Sequence, residues 1–159
     1  MTPARIHDVQ LAIRASLAAA LAYWAATSAG SEYAIYALIA AVVVTNLSPE
    51  ETRKMAGPRL VGTVVGAVGG AVATYVLPVG PLGLGIAILV AMLTMFLLRL
   101  QAAAKISGYT AAIVMFTHTG DPWMYAAERA FDNVLGIGAA VLVSYLPKLL
   151  REPAPPAPQ

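Results

Sequence analysis

Apolar residues form six long runs along the chain, and short polar or Pro/Gly-containing segments separate them. Each run approaches the roughly 20 residues that an α-helix needs to cross the hydrocarbon core of a bilayer. The predicted spans cover residues 9–27, 33–47, 58–77, 82–98, 106–118 and 125–146. The second and fifth are short for a full span, so we expect them to extend into their loops, to tilt little or to sit in locally thinned bilayer.

The segments between the runs are SAGSE, NLSPEETRKMAG, PVGP, RLQAAAK and THTGDPW, and we interpret the EETRK stretch as a solvated loop. The proline-rich end, residues 151–159, is predicted to be a disordered tail. The pattern therefore predicts an all-α integral membrane protein, with one domain of six transmembrane helices in residues 1–150.

Composition supports this class. The chain of 159 residues is 59% hydrophobic and 11% charged, whereas a soluble domain usually carries about a quarter charged residues. So few charges cannot cover a water-facing surface. The absence of cysteine excludes a disulfide framework and a thiolate metal site. A net charge of only +2 argues against nucleic acid binding.

The basic residues predict the orientation, because Lys and Arg concentrate in cytoplasmic loops. Eight of the ten lie at the two ends of the chain or in or beside the second and fourth loops: Arg5, Arg53, Lys54, Arg59, Arg99, Lys105, Lys148 and Arg151. Both termini are therefore predicted to be cytoplasmic. The aromatic residues Trp24, Tyr33, Tyr36, Tyr75, Trp123 and Tyr125 then fall near the outer interface, as an aromatic belt would.

A shift of 70 residues aligns the third run with the sixth, so that residues 59–76 lie over residues 129–146. Arg59 then matches Arg129, Gly66 matches Gly136 and Tyr75 matches Tyr145. Three spans per half, in residues 8–78 and 79–148, would invert the second half, with Arg59 at the inner face and Arg129 near the outer one. Inverted repeats recur among transporters; the alternative is chance similarity of two Gly/Ala-rich helices.

Glycines recur at steps of four in the third run, at Gly62, Gly66 and Gly70, and Gly136 follows in the sixth. This spacing makes a flat groove that lets another helix approach closely. We interpret the glycines as a packing surface, and direct contact with a substrate is the alternative.

Four polar residues begin the sixth run: Glu128, Arg129, Asp132 and Asn133. Positions three and four apart share one helix surface, and a charge deep in hydrocarbon costs about 2.5–3.5 kcal/mol even on an insertion scale. Two interpretations remain open. Either Arg129 is the centre of an anion site tuned by Asp132, or the two form a structural ion pair near the headgroups.

Other polar residues are weaker candidates. Arg59 is either a positive-inside anchor or the counterpart of Arg129, and Arg14 either reaches back to the headgroups or faces the anion path. Asn46 and His118 stand at matching span ends, where hydrogen-bonding groups are common. The predicted anion path thus comprises Arg129, Asp132, Asn133, Arg59, Arg14 and Asn46, with Asp132, Glu128 and His118 as candidate proton carriers.

Motifs of the common catalytic centres are missing from the sequence. It contains no GxxxxGK[ST] loop, no GxSxG, no HExxH and no cluster of metal ligands. We therefore expect no enzymatic activity, no metal and no cofactor.

Short motifs resemble those of the fusaric acid resistance family, also called aromatic acid exporters. They are Arg59 with Gly62, Thr63 and Gly66, the preceding AAVVVTNLSP, and Arg129 with Asp132 and Gly136. The resemblance covers residues 10–147. It implies a six-helix membrane unit that moves organic anions, with kinship to plant aluminium-activated malate channels. Members often add a cytoplasmic domain or a second membrane unit; here only the membrane unit is present, which predicts a homo-oligomer.

Together these observations predict a transporter, in the exporting direction, of small organic anions that include aromatic acids. We expect it in a bacterial inner membrane, driven by protons, with the bilayer, the anion and copies of itself as partners. A passive anion channel and a scaffold protein without transport are the alternatives.

Overall fold

The computed structural model describes residues 3–117 and 120–147, and these residues form helices joined by short turns. The helices are α1 (Pro3–Ser28), α2 (Ile35–Val44), α3 (Pro49–Val76), α4 (Pro81–Leu97), α5 (Gln101–Thr117) and α6 (Pro122–Ser144). Within these residues the predicted all-α class is confirmed. The predicted tail, residues 151–159, lies outside them.

Helix α3 begins nine residues earlier than the predicted third span, so the interpretation of EETRK as a loop is wrong. The Ser48 hydroxyl accepts a hydrogen bond from the backbone N–H of Glu51, 3.2 Å away, and Pro49 occupies the first turn. A Ser followed three residues later by Glu is a capping box, and proline fits the first helical position. The helix is therefore capped at Ser48, and Arg59 lies inside it.

The predicted fourth loop is also mostly helical. Arg99, with a φ of 59°, ends the turn that follows α4, and α5 begins two residues later at Gln101. The predicted fifth span began at residue 106, and the alanines at 102–104 favour the extension of the helix back to Gln101. Helix α2 is shorter than its predicted span: its 10 residues cover about 15 Å, which is about half of a hydrocarbon core.

Helices α3 and α5 run parallel and pack through glycine. A Cβ added to Gly62 would lie 2.7 Å from the Cβ of Ile106, and one added to Gly70 would lie 2.8 Å from the Cβ of Val114. Between them, Gly66 faces the carbonyl of Ser107. These separations are shorter than any side chain tolerates, so the glycines permit the close approach of the two helices.

The packing repeats between the two halves of the chain. The helix pairs in contact are α1·α2, α1·α6, α2·α3, α2·α6, α3·α4, α3·α5, α3·α6, α4·α5 and α5·α6. Exchanging α1, α2 and α3 for α4, α5 and α6 leaves this set unchanged. Gly136 of α6 meets the carbonyl of Ala37 and the Cβ of Ala40 in α2, 70 positions before the Ser107 and Thr110 that Gly66 meets.

Small residues fill the interior, and large apolar residues face outward. The buried set is dominated by alanine, including Ala22 and Ala41 at 0% exposure, whereas Trp24 and Leu82 are 65% and 74% exposed. This is the reverse of a soluble protein and matches helices packed in lipid. Two described helices, Arg5–Ser28 and Pro49–Val76, are long and apolar enough to cross a membrane, while Ile35–Val44 and Pro81–Leu97 are shorter apolar helices.

Candidate functional site

Helices α3 and α6 cross in opposite directions in the middle of the bundle. The side-chain amide of Asn133 donates to the backbone carbonyl of Arg59, 3.5 Å away. Later in α3, Val68 shares a groove with Trp123, which stands near the start of α6. The first residues of α6 therefore lie against the second half of α3.

Four polar side chains are buried at this crossing: Arg59, Arg129, Asp132 and Asn133 are between 0% and 6% exposed. Asn133 contacts Arg59 and stands one turn, about 6 Å, from Arg129. The two arginines therefore lie close to one level of the bundle. Contrary to the prediction from the sequence, Arg59 does not begin its helix, because the capped first turns of α3 precede it from Pro49 onward.

The Arg129 guanidinium stacks on an aromatic ring rather than on a carboxylate. Its Cζ lies 3.0 Å from the centroid of the Tyr36 ring, which is a close cation–π contact. Its Nε and Nη1 have no hydrogen-bond partner. A buried guanidinium with unsatisfied donors is costly unless another group accepts hydrogen bonds from those donors.

Asp132 is fully buried, yet neither of its carboxylate oxygens has a hydrogen-bond partner. The hydroxyl of Ser31 lies beside this carboxylate, although the contact does not meet the geometry of a hydrogen bond. Asp132 therefore makes no hydrogen bond with Arg129, although the two charged groups interact electrostatically.

Tyrosines surround both arginines. Arg59 donates from Nη1 to the Tyr109 hydroxyl at 2.7 Å, and the Tyr125 hydroxyl donates to that of Tyr36 at 3.2 Å. The rings of Tyr33 and Tyr125 meet edge to face, with centroids 5.2 Å apart. A phenol group thus lies next to each of the two guanidiniums.

Two tyrosines of the predicted aromatic belt turn inward. Tyr125 is only 6% exposed, and it pairs inward with Tyr36, whose ring covers Arg129. Trp24 and Tyr75, each 65% exposed, do face outward. A belt prediction uses depth along the helix alone, whereas the inward turn of Tyr36 and Tyr125 depends on which helix faces pack.

A cavity of about 190 Å³ opens at the end of the bundle where α6 begins. We call it the vestibule, and its lining is Glu32, Tyr33, Thr117, Gly120, Asp121, Met124, Tyr125 and Glu128. Glu128 therefore faces this cavity rather than the buried side chains of Arg59 and Arg129. Among the described residues, the lining holds three carboxylates and no basic side chain.

The comparison with known families agrees with this architecture. A sequence model of the family described as fusaric acid resistance protein-like matches residues 17–143. The chain belongs to this family. No curated protein and no solved structure matches it.

Membership in the fusaric acid resistance protein-like family indicates a membrane protein with a transport or resistance role. The family comprises transporters rather than enzymes. The matched residues include the lining of the vestibule and the buried residues Arg59, Arg129, Asp132 and Asn133. Both features therefore lie inside the part of the chain that the family shares.

Arg14 of this fusaric acid resistance protein-like chain lies apart from Arg59 and Arg129. It is 2% exposed and donates to the carbonyls of Leu47 and Leu146, both at 2.7 Å, and to that of Ser144 at 3.4 Å. Ser144 is 15 residues beyond Arg129, about 22 Å along α6. Arg14 therefore ties helix ends together at the opposite end of the bundle.

Asn46 forms hydrogen bonds within its own turn. Its backbone N–H donates to the Thr52 hydroxyl at 3.1 Å, and its side-chain oxygen accepts from the N–H of Leu47 at 3.3 Å. These bonds hold the connection between α2 and α3. His118, a candidate proton carrier, lies outside the described residues.

Proposed function

We propose that this chain carries small organic anions across a bilayer and binds their carboxylate at Arg129. The observation that supports this most directly is the pair of unsatisfied donors, Nε and Nη1, on a guanidinium that is 5% exposed. An anionic ligand would both satisfy the donors and neutralise the charge. Guanidinium groups favour carboxylates because their planar donors match two oxygens at once.

Charge balance supports the same conclusion. The buried cluster holds two cations, Arg59 and Arg129, against the single carboxylate of Asp132. One excess positive charge in a poorly hydrated interior favours an anion of charge −1. The rings of Tyr36 and Tyr125 beside the guanidinium would contact the apolar part of an organic acid.

We further propose export coupled to protons, with Asp132 as the carrier. Its carboxylate is buried without a hydrogen bond, so it is charged at a cost that a bound proton would remove. For export, the proton must enter as the anion leaves, so Asp132 would take up a proton from the vestibule side after the anion is released and give it up on the opposite side before the next anion binds. Glu128, in the vestibule, is placed to exchange protons with water.

The proposal includes two inverted halves, each of three helices. Its support is the exchange of helix pairs and the matching contacts of Gly66 and Gly136, both described above. The antiparallel crossing of α3 and α6, which are the third helices of the two halves, is the arrangement that inversion requires. Self-assembly in the membrane is proposed as well, with the exposed apolar faces of α3 and α4 as available surface.

The distribution of charge over the bundle ends supports a cytoplasmic location of both termini. Arg53 and Lys105 lie in the first turns of the parallel helices α3 and α5, whereas Glu32, Asp121 and Glu128 surround the opposite end. Reporter fusions after residues 31, 81 and 121 should report the periplasm of a bacterial cell, and fusions after 51 and 103 the cytoplasm. One fusion on the wrong side refutes six spans with this orientation.

The transport proposal is tested with Arg129→Gln in proteoliposomes that are loaded with a labelled organic acid. We expect at least a tenfold loss of efflux under a proton gradient. Arg53→Gln is the matched control, because it removes the same charge from an exposed position on α3 and should leave efflux unchanged. Equal efflux in both variants would refute the site. Efflux that ignores the proton gradient and reverses at the anion equilibrium potential would instead identify a passive channel.

A further inference from the structure

The vestibule and Arg129 are separated by a short series of aromatic rings. Tyr33 and Tyr125 line the cavity, and their rings contact each other edge to face. Tyr36 stands behind them, 6.3 Å from the Tyr33 centroid and hydrogen-bonded to Tyr125. The opposite side of this group is Arg129, which stacks on Tyr36. A solute that moves between the vestibule and Arg129 must therefore displace at least one ring.

Only one of the three rings is attached outside a helix. Tyr36 belongs to α2 and Tyr125 to α6, where Tyr125 is 6% exposed. Tyr33 lies in the turn between α1 and α2, three residues after Gly30, whose φ of +81° belongs to the left-handed region. Turns open more readily than packed helices, and a single edge-to-face contact is weak in comparison with helix packing.

The same turn also covers the buried carboxylate. Ser31, between Gly30 and Tyr33, lies beside Asp132. Movement of this turn would therefore expose the surroundings of Arg129 and of Asp132 together.

We infer that Tyr33 is the movable part of an aromatic gate that closes the vestibule from Arg129. The inference rests on the proposed anion site, since it assigns a means of access to that site. The closed ring keeps water and the vestibule carboxylates away from the unsatisfied guanidinium. Its displacement opens one route from the vestibule to both Arg129 and Asp132.

The experiment measures access directly and does not require transport. The chain has no cysteine, so one introduced thiol is the only reactive one. Asn133→Cys places it one turn beyond Arg129, at a position that is 3% exposed. Met124→Cys, on the vestibule wall and 62% exposed, is the control. Each is treated with a charged, water-soluble thiol reagent in purified protein.

We expect Tyr33→Ala to raise the labelling rate of Asn133→Cys at least tenfold and to leave that of Met124→Cys unchanged. Tyr33→Phe keeps the ring and should label at the native rate. If Tyr33→Ala lowers the melting temperature or the monodispersity, Tyr33→Leu replaces it. An unchanged rate in the folded variant, or an equal rise with Tyr33→Phe, overturns the gate.

The result separates the gate from the proposed function. Labelling as expected, without organic anion efflux from the native protein, would keep the gate and reject the anion transport. Efflux that depends on Arg129, with labelling that ignores Tyr33, would keep the transport and reject the gate.

Discussion

Arg14 and Arg129 are both nearly inaccessible, at 2% and 5% exposure, but their surroundings differ completely. Both terminal nitrogens of Arg14 donate to backbone carbonyls, two of them at 2.7 Å, and only its Nε is unpaired. Arg129 stacks on the Tyr36 ring and leaves Nε and Nη1 without partners. Burial therefore does not distinguish the two arginines, whereas the number of unused donors does.

Arg59 is intermediate between the two. Its Nη1 donates to Tyr109 at 2.7 Å, while its Nε has no partner. If hydrogen bonds inside the protein measure a structural role, the loss of stability on substitution should fall from Arg14 through Arg59 to Arg129. The loss of transport should be greatest at Arg129.

The largest loss of stability is expected for Arg14→Met, which fills a similar volume but has no donors. Two short hydrogen bonds from a charged group to carbonyls disappear, so the free energy of unfolding should fall by about 3 kcal/mol. Titration with a denaturing detergent measures it, and Arg53→Met, on an exposed part of α3, is the control. A stable Arg14→Met protein would show that these carbonyls are satisfied otherwise.

Arg59→Gln should cost less, about 1.5 kcal/mol, because it loses one hydrogen bond from a charged group where Arg14→Met loses two. Tyr109→Phe removes the same bond from the other side. In a double-mutant cycle the two changes should cost less together than the sum of each alone. Fully additive losses would mean that the contact between Arg59 and Tyr109 contributes nothing to stability.

The sequence predicted the class of the fold, because hydrophobic runs and sparse charge follow directly from residence in a bilayer. It did not predict where α3 begins. The capping box at Ser48 and Glu51 was present in the sequence, but a run of charged residues after it was interpreted as a loop. Local hydrogen bonding at a helix end outweighed the polarity of the segment.

The polar members of the site were also predictable, since Arg129 and Asp132 are expensive in any apolar helix. Their tyrosine neighbours were not. Tyr36 precedes Ala37, Ala40 and Ala41, the small residues of the buried face of α2, and this was the available signal. Arg14 was placed in the anion path because sequence shows that an arginine is deep, but not which carbonyls it reaches.

The smallest loss of stability is expected for substitutions of Arg129 and Asp132. The size of that loss decides whether the two residues form an anion site or a structural ion pair. Arg129→Gln loses a cation–π contact, about 0.5–2 kcal/mol, but also removes an incompletely paired buried charge. The free energy of unfolding should therefore change by less than about 1 kcal/mol. Asp132→Asn should change it as little, because neither carboxylate oxygen is hydrogen-bonded.

A structural ion pair would give the opposite pattern. Each single substitution would then strand a charge at a cost of about 3–5 kcal/mol, and the double variant Arg129→Gln/Asp132→Asn would recover the parent's stability. For an anion site, we expect all three proteins to fold, with efflux lost in Arg129→Gln and in the double variant. Asp132→Asn alone should keep anion binding and lose the dependence of efflux on the proton gradient. Full efflux from the double variant would exclude Arg129 as the binding group, because a neutral pair offers no charge to hold a carboxylate.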